Sequence, residues 1–160
     1  MLRHLKNWVG ALAAAILVSG LIAPAVLADD EADFSTFDLT GNWSVKAKMT
    51  WCDFEGQMIV SPTEESHIFH GDLTMRQLCP GAEEPIVAHQ TSKIYVTGKQ
   101  VTVQSTITEV IDPYREEPNT TYAPDDFVMT VKSANELYGI QTDRYGRRTA
   151  RWTREELGIS

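Results

Sequence analysis

The chain has 160 residues, of which 42% are apolar and 22% charged, and its net charge is −8. That length suits one domain with a modest core. The composition excludes a chain disordered throughout, and the acidic balance argues against nucleic acid, because phosphate binding needs clustered cations.

Residues 1–28 read as an export signal. Arg3, His4 and Lys6 form a cationic start, residues 8–22 are almost uninterrupted apolar, and Val26-Leu27-Ala28 precedes acidic Asp29. Cleavage after Ala28 is the expectation. Ser19, Gly20 and Pro24 interrupt the run, so no membrane span is expected after cleavage. The implied location is periplasmic or extracellular. The remaining 132 residues carry 12 Lys or Arg against 22 acids, a charge of −10. Residues 29–41 are read as an acidic N-terminal segment and residues 42–155 as the folded domain.

From Trp43 the pattern has period two. Trp43, Val45, Ala47, Met49 and Trp51 alternate with Ser44, Lys46, Lys48 and Thr50, which predicts a strand with one buried face. A turn is expected at residues 53–56, a short strand at 57–61, and a third strand at 67–78 with Phe69, Leu73 and Met75 on one face. Residues 86–96 and 101–111 are β-branched runs joined by Thr97-Gly98-Lys99, which predicts a hairpin. Further strands are expected at residues 127–132, 137–141 and 148–153. No window carries a sustained helical period.

Eight antiparallel strands with mostly short connections predict an all-β, up-and-down barrel, with a two-sheet sandwich as the rival. Cys52 and Cys79 both fall in the exported part, where pairing is the default. Odd-numbered strands of such a barrel end at one rim, so Cys52 after the first and Cys79 after the third can meet. The long loops at residues 79–85 and 112–126 gather at that rim, and the second of them carries Tyr114 and Tyr122. Long loops of this kind are binding loops, lids or solvated excursions.

The chain opens its first strand with Gly41-Asn42-Trp43 and ends its last with Arg151-Trp152-Thr153-Arg154. This resembles the glycine-x-tryptophan opening and C-terminal basic residue of the lipocalins and the wider calycin group. The resemblance implies an eight-stranded barrel in which Arg151 or Arg154 packs over Trp43. In size and in its single disulfide the chain also resembles the small periplasmic inhibitors of metalloproteases.

Chemistry-bearing motifs are absent from the sequence. His67 and His70, three apart on a strand, point to opposite faces, and no GxSxG, HExxH or phosphate loop occurs. No catalytic residue, metal ligand or cofactor is therefore assigned, and an enzyme is not expected. The reading is a secreted binding protein taking a small apolar ligand. Its expected contacts are Met49, Trp51, Phe69, Leu73, Met75, Tyr114, Tyr122, Phe127 and Met129. The alternative is an inhibitor or interaction protein acting on a secreted enzyme such as a protease, through the acidic segment or the outer surface. The cations of residues 144–148 have no evident role.

Overall fold

The computed structural model describes residues 37–48 and 51–155. Residues 1–28, expected to be an export signal, most of the acidic segment and Met49 lie outside the described residues. Eight strands follow one another: β1 (Gly41–Lys48), β2 (Asp53–Pro62), β3 (Ile68–Leu78), β4 (Ile86–Thr97), β5 (Gln100–Ile111), β6 (Asp126–Ser133), β7 (Glu136–Asp143) and β8 (Gly146–Arg154). Each pairs antiparallel with the next, and β8 returns to β1, closing the barrel in the order of the chain. No helix occurs among the described residues. The architecture is the expected one, and the sandwich is excluded.

Alternation dictates the packing. Val45 and Ala47 on β1, Phe127, Met129 and Val131 on β6, and Ala150 and Trp152 on β8 are buried, while the residues between them face outward. The base of the barrel is closed by aromatic packing. Trp152 lies 6.4 Å from Trp43 and meets Phe127 edge-on at 5.3 Å. The Trp43 indole donates to the Leu39 carbonyl at 2.9 Å, so the segment before β1 folds under the barrel as a plug. Arg154 completes that plug. Its guanidinium lies 4.5 Å over the Trp43 ring and donates to the carbonyls of Thr40, Asp38 and Ala134. Of the two arginines anticipated there, Arg154 takes the position; Arg151 instead pairs with Glu136 at 2.8 Å on the outer wall.

Two boundaries depart from the sequence reading. First, β1 stops at Lys48, so Trp51 and Cys52 sit in its connection to β2. Second, the expected turn at residues 53–56 is the start of β2, with Phe54 buried. Gly56, which suggested a turn, is instead required by close packing: a Cβ there would meet the Thr74 carbonyl oxygen at 2.2 Å and the Met75 sulfur at 2.7 Å. Gly139 has the same role on β7, where a Cβ would lie 2.1 Å from the Val128 carbonyl and 3.0 Å from the Met129 sulfur. The flexible thioethers thus fill volume that the glycines leave, and the middle of the barrel is occupied by its own side chains.

The upper rim is less regular. Cys52 and Cys79 are joined there by a disulfide. β5 pairs with β6 only from Gln100 to Val103, so its upper half has β4 as its sole strand partner. The end of the β5–β6 loop seals this gap, because Ser105 donates its backbone N–H to Asp126 and its hydroxyl to the Asp125 carbonyl, each at 2.7 Å. Asp125 is thereby carried into the mouth of the barrel.

Candidate functional site

The residues expected to touch a ligand separate into three groups. Phe69, Leu73, Met75, Phe127 and Met129 are brought together, but as fully packed core. They form the floor and walls beneath any ligand. Trp51 is displaced: it is 72% exposed on the β1–β2 connection, where the chain bends at Trp51 itself. Tyr114 is 56% exposed, and its hydroxyl accepts from the Glu84 N–H at 2.8 Å and donates to the Glu84 carbonyl at 3.0 Å. It fastens the β5–β6 loop to the β3–β4 loop. Of the two loop tyrosines, only Tyr122 turns into the mouth.

Above the apolar core lies a polar layer. Asp125, only 1% exposed, accepts from Gln90 Nε2 of β4 at 2.6 Å and from Gln141 Nε2 of β7. Its backbone N–H donates to Gln90 Oε1 at 2.9 Å, and the Tyr122 hydroxyl reaches it at 3.4 Å. Burial pushes the Asp125 carboxyl up to about 6; the Gln90 hydrogen bond opposes this, Asp143 adds to it, and Arg148 and Gln141 oppose it. Burial, followed by the Asp125 charge, also raises the Tyr122 phenol, which stays protonated and able to donate.

Arg148 stands on β8 directly across from Gln141. Its side chain is 5% exposed, pairs through Nη2 with the Asp143 carboxylate, and lies 4.6 Å over the Phe54 ring. Two buried atoms of this layer, Arg148 Nη1 and Gln141 Oε1, have no hydrogen-bond partner among the described residues. In most folds buried polar atoms are paired, so a free donor beside a free acceptor marks a place where another group can bind.

Of this layer, Tyr122 and Arg148 border a cavity of about 320 Å³ at the upper rim, lined also by Phe54, Gln77, Ile86, Asp143 and Tyr145 and by residues of the β5–β6 loop, with Gln141 buried behind Arg148. The loop is pinned over it. Tyr145 Oη and Arg144 Nη1 both donate to the Thr121 carbonyl, at 2.8 and 3.3 Å, and Asn119 donates to Asp112 at 2.8 Å. Arg144 thereby acquires a role that the sequence left open. A larger depression of about 650 Å³ lies against the outer wall, but half of its fourteen lining residues are charged, Lys46, Glu55, Arg76 and Arg151 among them. Ala47, Phe54, Leu78, Pro85 and Ala150 give it apolar walls between those charges.

Gln90, Gln141 and Phe54 were not singled out from the sequence, and Arg148 was noted only as one of the cations of residues 144–148. A signal existed: Gln141 is in phase with Leu137, Arg148 with Ala150 and Trp152, and Gln90 with Ala88 and Ile94. A polar residue at an inward position of a barrel strand is a candidate for the lumen. Asp125 gave no such signal, because loop residues carry no parity.

No protein-family model matches the chain, and no curated protein is similar to it. Solved structures do share its architecture. A redesigned β-barrel, mFAP1, bound to DFHBI, is 15% identical with a TM-score of 0.54, covering 73% of this chain and 94% of that one. The redesigned barrel mFAP0, also bound to DFHBI, is 16% identical with a TM-score of 0.53, covering 73% and 98%. A de novo designed fluorescence-activating β-barrel is 12% identical with a TM-score of 0.51, covering 78% and 99%. At these identities the likeness is one of fold alone, an eight-stranded β-barrel.

Proposed function

We propose that the chain is an exported, non-catalytic binding barrel that takes a small, largely apolar ligand at its loop-bearing mouth. The observation that carries this reading is the 320 Å³ cavity between Phe54, Ile86 and Tyr122, which sits above an interior filled by its own side chains. Concave sites with apolar walls and a few fixed polar groups are the usual form of small-molecule sites. The ligand therefore lies in the upper third of the barrel and rests on the packed core below. Barrels of this size accommodate a small molecule, as mFAP1 and mFAP0 do with DFHBI. The cationic start, apolar run and Ala28 boundary of the leader support export.

Titration with naphthalene, followed by amide chemical shifts in ¹⁵N-labelled protein and by native mass spectrometry, tests the reading. Saturable shifts concentrated at Phe54, Gln77, Tyr122 and Tyr145 are expected. Shifts confined to the outer wall around Lys46 and Arg151, or none at all, would refute a mouth site.

A further inference from the structure

Resting on the mouth as the ligand site, we infer that the ligand presents an uncharged, planar group with a hydrogen-bond acceptor beside a donor, as a carboxamide, lactam or imide does. Arg148 Nη1 offers a donor and Gln141 Oε1 an acceptor, and neither has a partner among the described residues. The two residues face each other across β7 and β8, and Arg148 borders the cavity. Side chains in facing antiparallel positions lie side by side. A neighbouring C=O and N–H of one amide can therefore engage both, whereas an ether or ketone serves only the donor. Guanidinium donors lie in the plane of the group, so the ligand's acceptor must lie in that plane too.

Charge decides against the more obvious occupant. An arginine in a pocket suggests an anion, but Asp143 already pairs with this guanidinium and Asp125 lies close by in the same layer. The carboxylates outnumber the cation. A ligand carboxylate would add a further negative charge where solvent cannot screen it. A ligand cation would meet the unpaired Nη1 donor head-on. A neutral amide changes no charge and satisfies both orphaned atoms.

A ring-matched series on the unaltered protein at pH 7.5 tests this: naphthalene-2-carboxamide, naphthalene-2-carboxylate, 2-naphthylmethylammonium and naphthalene. Affinities come from chemical-shift titration, with the Gln141 side-chain amide as the local reporter. The carboxamide is expected to bind about tenfold more tightly than each of the others, the scale of satisfying one or two buried hydrogen bonds. It should also shift the Gln141 side-chain signals, which naphthalene should leave in place. Arg148→Lys, which keeps the charge but removes Nη1, should bring the carboxamide to the level of naphthalene; the ligand series decides the matter even if that variant does not fold. Tightest binding by the carboxylate or the ammonium overturns the inference while leaving the mouth as the site, and so does equal binding by all four. Absence of binding by all four overturns both the inference and the mouth reading.

Discussion

Replacing Asp125 by Asn tests the polar layer most directly, through the pH dependence of folding. The folded-state carboxyl titrates at about 6 against 3.8 for the ordinary group, a rise caused first by burial. Its charged form is therefore the costly one. The folded protein holds this proton more firmly than the unfolded chain, so Asp125 contributes no penalty below pH 3.8 and destabilises progressively as pH rises through 6. At 1.36 kcal/mol per pH unit, the displacement amounts to about 3 kcal/mol in full, of which about 2 kcal/mol falls between pH 4 and 7. Because Asp125 is almost wholly buried, solvent screening reduces this little. Urea unfolding followed by the fluorescence of buried Trp43 and Trp152 would measure it in both proteins at pH 4, 5, 6 and 7. The other carboxylates contribute equally to both, so the difference between unaltered protein and Asp125→Asn isolates this one group. Relative to the variant, the unaltered protein should lose about 2 kcal/mol across that range. Parallel curves would refute the argument that burial governs this carboxyl.

Other expectations follow from the packing. Arg154→Met removes the guanidinium from the Trp43 face and from three carbonyls, and should lower unfolding free energy by about 2 kcal/mol in urea titrations; Arg154→Lys should recover only part, and no loss in either variant would show that the plug holds without it. Joint replacement of Cys52 and Cys79 by Ser frees a 27-residue separation and should cost about 3 to 4 kcal/mol on the chain-entropy account. A much smaller change in urea midpoint would mean that the rim is held by its other contacts. Gly139→Ala should lower the thermal midpoint more than a surface Gly98→Ala, because its Cβ meets backbone at 2.1 Å whereas that of Gly98 meets nothing within 4 Å. Comparable effects would place the cost in backbone conformation instead of crowding. Tyr114→Phe should leave stability within about 0.5 kcal/mol while speeding amide exchange at Glu84, which loses its hydroxyl partner.

The strand count, closure and disulfide were legible because they depend on period two and on rim parity, both of which a single sequence carries. Boundaries were less so. Gly56 reads as a turn residue until the Thr74 carbonyl is seen crowding it, and Trp51 continues an alternation that its backbone has already abandoned. The candidate site was only half visible. Phe69, Leu73, Met75, Phe127 and Met129 were found by parity and prove to be the ground beneath it. The polar layer depends on Asp125, which a loop delivers from outside the strand pattern to meet Gln90 and Gln141, 35 and 16 residues away. Encounters at that range leave no local trace in a chain.

Phe37 and Glu155, the outermost residues described, both leave from the plugged base, where the Glu155 N–H donates to the Asn42 carbonyl at 2.9 Å. A segment joined directly to Phe37 or Glu155 therefore starts from the pole away from Tyr122 and Arg148. A barrel tethered at either of these two residues would present its loop-bearing lip outward, away from the support.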